Sequence, residues 1–535
     1  MTPNDNNGAA IEVTNTDKAI TGTISKSTFT NNKAQYGGAI DICAGTIKIT
    51  NSKFINNSAD VEGGAIDINA LNGNPKVTIS GSKFINNSAP LGGAILNIKD
   101  LTVKGSTFIN NTPNTIFNWV GAGGNLNLNI KTFTDLQNAI GLVTGTLTLN
   151  QNVAMTAKEA ADFTNGITIN KDITIDGKGH TIDAKNLGRI FSIGEGFTVT
   201  LTNATLINGK ATEGGAIYND GSLTLSDVKL SDNAADSYGG AVFNNGHLVV
   251  GNSVFDANDI VNRGSASVDY GGAAIYNWYD GTLTVSGSNF TNNIKNYKNG
   301  DNLVGAITTI GNATVSGSNF VNNSGRWGGA ISATGAELRK NSSTLTVSNT
   351  IFKDNSALYA GAVYIWGSNY NIADCVFDNN TAFGKGNMTP NNNNGGALVV
   401  SQVSRFNEPI TGTISGSKFT NNKAQYGGAA YFNKGFVTIT GSVFENNVAT
   451  AEGGAVDFSH ASVKDLVVSI NNSSFVGNKA PVAGAIFTNV DSKITNSKFI
   501  NNSAAKIGGA ICNVNDLTVE NSKFVNNTPQ AIHNS

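Results

Sequence analysis

The stretch "STFTNNKAQYGGAI" at residues 27–40 recurs almost unchanged as "SKFTNNKAQYGGAA" at residues 417–430, and looser copies lie between them. The pattern Phe-x-x-Asn occurs fourteen times, and most copies are followed by Gly-Gly-Ala-Ile or a close variant. Where no insertion intervenes, successive motif phenylalanines lie 24 or 25 residues apart, as Phe84 and Phe108 or Phe29 and Phe54 do. A fixed period of this length indicates a stacked solenoid.

Within one repeat the apolar residues alternate with a period of two. In "GTLTVSGSNFTNN" (281–293), Leu283 and Val285 share one face, and Phe290 returns to that face after a Ser-Gly-Ser bend. Asn-Asn then makes the next bend. The last residue of each Gly-Gly-Ala-Ile copy, which is Ile or Val, points inward again. Each repeat therefore predicts three very short strands separated by turns rich in Gly, Asn and Ser.

Three short strands cannot bury their apolar side alone, so each repeat has to stack on its neighbours. Stacking at about 4.8 Å per rung joins the strands into parallel sheets around a continuous core. The sequence predicts an all-β fold, a right-handed parallel β-helix with three-strand rungs of about 24–25 residues. We expect Phe and Ile to fill the core, while Asn at the bends adopts left-handed geometry and hydrogen-bonds its equivalent one rung away.

The two ends of the chain are copies of each other. Residues 1–119 match residues 388–535 with one rung fewer, so Met1 corresponds to the internal Met388. We therefore expect residues 1–119 to be the C-terminal part of a first β-helix, and the chain to be a fragment of a longer polypeptide. The absence of a signal peptide at Met1 then says nothing about location.

The repeat rhythm breaks between the two copies. Residues 120–130 are rich in Gly and Asn and predict a linker. Residues 131–535 predict a second β-helix, opened by a short capping helix at about residues 131–141. The apolar residues on one face of this helix are Phe133, Leu136 and Ile140. Such a helix covers strand edges that otherwise invite aggregation.

The composition excludes several kinds of partner. Charged residues make up 13% of the chain and the formal net charge is −2, without a basic stripe to attract nucleic acid. No apolar run is long enough for a membrane span. Cys43, Cys375 and Cys512 are far apart in sequence and indicate neither a disulfide framework nor a zinc site. The sequence predicts no cofactor.

The segments "FTDLQNAI", "ITIDGKGHTIDA" and "GGAIYN", together with the Phe-x-Asn-Asn turns, resemble the large adhesin-like surface proteins of methanogenic archaea. The paired Gly-Gly-Ala-Ile and Phe-x-x-Asn motifs are also similar to the repeats of chlamydial polymorphic outer-membrane proteins. This resemblance covers nearly the whole chain. It implies an exported, surface-anchored β-helix that mediates attachment, with the mode of anchoring left open.

Parallel β-helices also carry polysaccharide lyases and glycoside hydrolases, so catalysis has to be considered. The chain has no HExxH, Walker A, GxSxG or EF-hand motif, and we expect it not to be an enzyme. The strongest acidic pair is Asp41 and Asp67, each directly after a motif Ile on consecutive rungs. We expect these carboxylates to point outward about 5 Å apart. Solvated surface residues are the favoured interpretation, and a Ca²⁺ site or an acid–base pair remains open.

The same outward position, directly after the motif Ile, carries aromatic residues in other rungs, and we expect these side chains to be exposed. Such residues can stack on sugar rings or anchor a protein partner, although stacking on one another across rungs is the simpler interpretation. The candidate glycan- or partner-binding residues are Tyr218, Phe243, Tyr276, Trp278, Tyr364, Tyr431 and Phe487.

The favoured function is a non-enzymatic, extracellular, cell-surface adhesin-like stalk. Its expected partners are cell-surface glycans or surface proteins of neighbouring cells, with no nucleic acid and no membrane span in these residues. A β-helix lyase or hydrolase is one alternative, and a passive spacer within a larger surface protein is another. Fold alone does not choose among them.

Overall fold

A computed structural model describes most of the chain. It covers residues 7–14, 20–71, 73–119, 123–262, 270–294, 303–335, 343–382, 393–401, 410–459 and 466–535. Met1 and Met388, which mark the two predicted copies, lie outside these residues, as do residues 120–122 of the predicted linker. The chain forms two compact units, the first comprising residues 1–187 and 196–205, and the second residues 188–195 and 206–535.

The second unit is a parallel β-helix, which confirms the predicted fold class. One complete rung runs through Ile217–Asn219, Ser222–Ser226, Lys229–Ser231 and Ala234–Tyr238. Each of these strands pairs in parallel with its equivalent one rung later, for example Ile217 with Val242. The four positions in the rung define sheets 1 to 4, in chain order.

The strand bounds of the second unit follow the same order in every rung. Sheet 1 contains Phe191–Ile193, Ile217–Asn219, Val242–Asn244, Ile275–Asn277, Ile307–Thr309, Ile331–Thr334, Val363–Trp366, Leu398–Ser401, Ala430–Phe432, Val456–Phe458, Ile486–Thr488, Ile511–Asn513 and Ile532–Asn534. Sheet 2 contains Ser222–Ser226, His247–Gly251, Thr282–Ser286, Ala313–Ser316, Thr344–Ser348, Asn369–Ala373, Thr411–Ser415, Gly435–Thr440, Leu466–Asn471, Ser492–Thr495 and Leu517–Glu520. Sheet 3 contains Lys229–Ser231, Val254–Asp256, Asn289–Thr291, Asn319–Val321, Ile351–Lys353, Val376–Asp378, Lys418–Thr420, Val443–Glu445, Ser474–Val476, Lys498–Ile500 and Lys523–Val525. Sheet 4 contains Lys210–Glu213, Ala234–Tyr238, Asp259–Ile260, Tyr270–Gly271, Leu303–Val304, Ser324–Trp327, Ser356–Tyr359, Thr381–Ala382, Lys423–Tyr426, Val448–Glu452, Lys479–Val482 and Ser503–Ile507.

The first unit repeats this plan on fewer rungs. Sheet 1 here contains Ile11–Val13, Ile40–Ile42, Ile66–Ile68, Ile95–Asn97 and Ile116–Asn118. Sheet 2 contains Thr21–Ser25, Thr46–Thr50, Lys76–Ser80, Asp100–Lys104 and Asn125–Asn127. Sheet 3 contains Thr28–Thr30, Lys53–Ile55, Lys83–Ile85 and Thr107–Ile109, and sheet 4 contains Lys33–Tyr36 and Ser58–Glu62. The remaining strands of this part are Val143–Thr148, Val153–Ala154, Ile167–Ile169, Ile173–Asp176, Thr181–Asp183 and Thr198–Thr202, and Thr205–Ile207 spans the division between the units.

A complete rung has four strands, and the expectation of three is wrong. The missed strand is that of sheet 4, between the Asn-Asn turn and Gly-Gly. Its inward residue is a small alanine, such as the fully buried Ala235, so the segment lacks the large apolar residues that identified the other strands. Its backbone hydrogen bonds to the neighbouring rungs nevertheless make it a strand.

The predicted short helix is present as Phe133–Leu142. Thr132 caps it, and its side chain and that of Asp135 form a reciprocal capping box. Phe133, Leu136 and Ile140 are buried on one face, as their spacing predicted. The predicted domain division at residues 119–131 stays a prediction. The strands on its two sides pair in parallel, with Ile116 opposite Val143.

The motif phenylalanines form a continuous stack inside each unit. Phe290 and Phe320 lie with ring centroids 4.6 Å apart and planes 5° apart, and both side chains are fully buried. Phe54 and Phe84 stack in the same way in the first unit, also at 4.6 Å. The spacing equals the distance between rungs, because parallel in-register pairing places each ring directly on its equivalent.

The Asn-Asn turn uses its two residues differently. The first residue, for example Asn322, has a φ of 56°, the left-handed geometry that Asn tolerates. The second, Asn323, is fully buried and accepts hydrogen bonds at Oδ1 from the backbone N and Nδ2 of Asn293 at 3.1 and 2.9 Å. Its own Nδ2 donates to Asn355 Oδ1 at 3.0 Å and to the carbonyl of Phe290 at 2.9 Å. The predicted asparagine ladder is confirmed.

Replacing Asn323 with Ala should destabilise the second unit by about 3 kcal/mol, because several buried polar groups lose their partners at once. Thermal and chemical unfolding followed by circular dichroism measures the effect. Asn319→Ala is the matched control, since its amide bonds Asn289 at the exposed surface. An Asn323→Ala protein as stable as Asn319→Ala would contradict a structural role for the ladder.

Candidate functional site

Sheets 4 and 1 of the second unit meet at the Gly-Gly turn and form a groove on the outside of the β-helix. Gly328 has a φ of 66°, and a Cβ atom on Gly329 would lie 2.4 Å from the carbonyl oxygen of Gly361. Only glycine fits both positions, so the chain turns sharply here. The sharp turn brings the last residue of each sheet 4 strand close to the middle residues of sheet 1.

Two rows of side chains line this groove. The floor is the residue directly after the motif Ile or its equivalent in sheet 1, and the wall is the last residue of each sheet 4 strand that reaches the Gly-Gly position. From rung to rung the floor runs Tyr218, Phe243, Tyr276, Thr308, Ser332, Tyr364, Val399, Tyr431, Asp457, Phe487, Cys512 and His533. The wall contains Glu213, Tyr238, Gly271, Val304, Trp327, Tyr359, Tyr426, Glu452, Val482 and Ile507.

The sequence placed the aromatic candidates correctly in one row but misjudged their exposure. Phe243, Tyr276 and Tyr364 are only 5%, 5% and 8% exposed, while Tyr218, Tyr431 and Phe487 are half-buried. The wall covers the floor: the ring centroids of Tyr238 and Tyr276 lie 4.6 Å apart. Whether these residues bind a partner stays a prediction.

The aromatic floor residues stack as a ladder at its first three rungs. Tyr218 and Phe243 are 5.0 Å apart between ring centroids, and Phe243 and Tyr276 are 5.8 Å apart with planes 6° apart. Trp278 is half-buried beside them, 5.7 Å from Tyr276 and 6.0 Å from Phe243. This end of the groove is filled by its own side chains.

The groove opens into a cavity of about 180 Å³ further along. Here Thr308 and Ser332 interrupt the aromatic floor between Tyr276 and Tyr364, and the wall residue Val304 is small. Trp327 stands over this region, stacked on Tyr359 at 4.0 Å and tilted against Tyr364 at 5.2 Å. The residues that line the cavity are Tyr276, Val304, Thr308, Trp327, Ser332, Thr334, Tyr364 and Trp366.

The wall residues were missed from the sequence. Trp327 and Tyr359 both precede the Gly-Gly position, in the segment read as a turn rather than a strand. The signal that could have identified them is the repeated aromatic residue before glycine in "SYGG" (237–240), "RWGG" (326–329) and "QYGG" (425–428).

The corresponding position in the first unit carries the acidic pair. Asp41 and Asp67 are register partners on adjacent rungs, as expected, but both are fully buried, so the expectation of solvated carboxylates is wrong. The Asn69 amide donates to Asp41 Oδ1 at 2.7 Å and to Asp67 Oδ2 at 3.1 Å. Cys43 Sγ lies 3.5 Å from Asp41 Oδ2 and completes this cluster.

Burial controls the protonation of this pair. It raises the pKa of Asp41 to about 6, and it raises the pKa of Asp67 well above its usual range, with the negative charge of Asp41 adding to the effect. Both shifts favour the protonated, neutral form of each carboxyl group over its ionised form. Among the residues that the structure describes, no group of three or more His, Cys, Asp or Glu side chains is placed to hold a metal ion.

A buried acid also lies on the floor of the second unit. Asp457 is fully buried, the Ser459 hydroxyl donates to its Oδ1, and its Oδ2 has no hydrogen-bond partner within the described part of the chain. Burial is the main cause that raises the pKa of Asp457 to about 8; the hydrogen bond from Ser459 opposes this rise, and the nearby wall residue Glu452 adds to it. At pH 7 this side chain is therefore largely protonated.

Asp457→Asn should change how stability depends on pH. Between the unfolded pKa near 3.8 and the folded pKa of about 8, the folded state keeps a proton that the unfolded chain loses. The group therefore lowers the free energy of unfolding by about 1.4 kcal/mol for each pH unit across this window. The variant should gain stability over the wild type as the pH rises from 4.5 to 7.5, measured by denaturant unfolding. The exposed Asp491→Asn serves as control, and equal slopes for all three proteins would contradict the assignment.

Two short segments, residues 26–42 and 496–514, match the model of the Chlamydia polymorphic membrane protein repeat family. Both segments include a Phe-x-x-Asn turn and a Gly-Gly-Ala-Ile strand, so the chain carries repeats of this type on its parallel β-helix. Among the described residues, no helix is both long enough and apolar enough to cross a membrane.

A curated protein also shows local similarity. The metabotropic glutamate receptor-like protein R of Dictyostelium discoideum is 33% identical over 159 residues, which is 30% of this chain. The match covers only 9% of that protein's length. The chain thus matches only a small part of a much longer protein.

Proposed function

We propose that this chain is part of an extracellular, cell-surface β-helix stalk that mediates attachment to other cells, to host surfaces or to their glycans. The observation that carries the proposal is the groove between sheets 4 and 1 of the second unit. Its aromatic floor and wall repeat along many rungs, as a binding surface on a stalk requires.

Two further observations support a surface role. The segments at 26–42 and 496–514 match the repeat of Chlamydia polymorphic membrane proteins. The sequence resemblance to the adhesin-like proteins of methanogenic archaea points the same way, and this relationship is part of the proposal.

The proposed function is not enzymatic. A glycosidase or lyase needs ionisable groups that reach a bound polysaccharide. The best carboxylate pair, Asp41 and Asp67, is fully buried and hydrogen-bonded to Asn69, out of reach of such a substrate. Incubation of the protein with a panel of polysaccharides should release no reducing ends.

Beads coated with the purified chain should attach to cells more than albumin-coated beads do. Trp327→Ala should lower attachment several-fold, because it removes the half-exposed aromatic residue over the groove. Phe436→Ala is the matched control, since this aromatic side chain is 46% exposed on sheet 2, away from the groove. Counting attached beads by microscopy at equal coating density measures the effect.

Treating the cells with periodate or protease before the assay distinguishes glycan from protein partners. A passive spacer would give coated beads that attach no better than albumin-coated ones. An equal loss with Phe436→Ala would show that attachment is a general property of exposed aromatic residues and would contradict a role for the groove.

A further inference from the structure

The cavity in the groove exists because the aromatic ladder is interrupted. Tyr276, Thr308, Ser332 and Tyr364 are register partners on four successive rungs, so the two tyrosines lie about 14 Å apart. The wall is also small at this point, since Val304 follows Gly271. A Cβ atom on Gly271 would lie 2.7 Å from Thr308 Oγ1, so glycine is required there. The result is a short gap with aromatic rings at both ends.

Three polar atoms in this cavity have no hydrogen-bond partner within the described residues. They are Thr308 Oγ1, Ser332 Oγ and Trp327 Nε1, and all three atoms are buried. Thr308 is 4% exposed and Ser332 is fully buried. A buried polar group without a partner costs stability, so three of them on one small cavity indicate a ligand that supplies the missing hydrogen bonds.

The chemistry of the lining defines the ligand. The indole Nε1 donates only, whereas the two hydroxyls both donate and accept, so the ligand must offer acceptors and donors together. Tyr276, Trp327, Tyr364 and Trp366 supply flat apolar faces beside these groups. Such a mixture suits a small ring with apolar faces and hydroxyl groups at its edge.

The ligand must also be uncharged and small. All the described residues that line the cavity are neutral, and a charged group would lose its hydration there without gaining a counter-ion from them. The Arg326 guanidinium stacks over the Trp327 ring at 5.3 Å and is not part of the lining. A volume of about 180 Å³ is below the range of roughly 300–1,000 Å³ that holds larger ligands, so one ring fills the site.

We propose that the cavity formed by Tyr276, Thr308, Trp327, Ser332 and Tyr364 binds a single neutral sugar ring, such as the terminal pyranose of a cell-surface glycan. The sugar stacks on the aromatic rings, and its hydroxyls pair with Thr308, Ser332 and the Trp327 indole. This inference deepens the proposed attachment function and rests on it for its biological setting, while the binding site itself can be tested separately.

The test is a titration of the full 535-residue chain with methyl glycosides of glucose, galactose, mannose and N-acetylglucosamine, and with methyl glucuronide. Trp327 and Trp366 line the cavity, so tryptophan fluorescence reports binding, and ligand-observed NMR confirms it. At least one neutral glycoside should bind saturably. Methyl glucuronide should bind at least about tenfold more weakly, because its carboxylate finds no counter-charge.

The double variant Thr308→Val with Ser332→Ala should lose at least about tenfold in affinity for the sugar. Its thermal midpoint should be unchanged or higher, because two buried hydroxyls without partners are removed. A loss of affinity without a loss of thermal stability would show that the two hydroxyl groups bind the sugar and do not stabilise the fold. Thr346→Val is the matched control: it makes the same change in sheet 2, outside the cavity, and should alter neither property.

Four outcomes would overturn the inference. Two concern the sugars: no neutral glycoside binds saturably, or methyl glucuronide binds as tightly as the neutral glycosides or more tightly. The other two are that the double variant keeps full affinity, or that the wild type, but not the double variant, selectively captures peptides from a display library. If beads attach to cells although the chain binds no sugar, the proposed sugar site is contradicted and the proposed attachment function is not. Sugar binding without bead attachment would contradict the proposed attachment function and leave the sugar site intact.

Discussion

The in-register hydrogen bond from one rung to the next is the constraint on which this structure depends. Backbone groups in the strands and turns pair with the same position one rung away, so each side chain meets its own equivalent. Phe290 lies on Phe320, and Asn293 donates to Asn323. A slip of one residue would turn every inward side chain outward and break each ladder at once. The repeat therefore specifies one register.

The same constraint turns a single sequence position into a continuous surface. The residue after the motif Ile becomes the groove floor, and the last residue of each sheet 4 strand becomes its wall. Neighbouring aromatic residues fill the groove where they follow one another, as Tyr218, Phe243 and Tyr276 do. The groove opens where small hydroxyl residues replace them, at Thr308 and Ser332. The cavity thus lies where the repeat departs from its pattern.

The floor also explains why acidic residues there behave unusually. Asp67 in the first unit and Asp457 in the second both follow "EGGA" and both are fully buried. Burial raises the pKa of each, because a carboxylate loses its hydration under the wall. A position that carries Tyr in one rung and a protonated Asp in another remains nearly neutral in both cases. Burial under the wall therefore disfavours a charged side chain at this floor position.

The sequence alone determined the period, the parallel β-helix, the Phe and Asn ladders and the short helix at Phe133–Leu142, because each follows from local patterns repeated in register. It also selected the row that contains Tyr276 and Tyr364. It could not show the strand of sheet 4, whose small inward residues such as Ala235 carry no apolar signal, and so it missed Trp327. Only the tertiary structure decided that this row is a covered floor, because the turn at each Gly-Gly position brings wall residues such as Tyr238 against floor residues such as Tyr276. This contact is a property of the folded rung, and because of it the expected exposed ladder and the expected solvated Asp41–Asp67 pair are largely buried, beside an open cavity at Thr308 and Ser332.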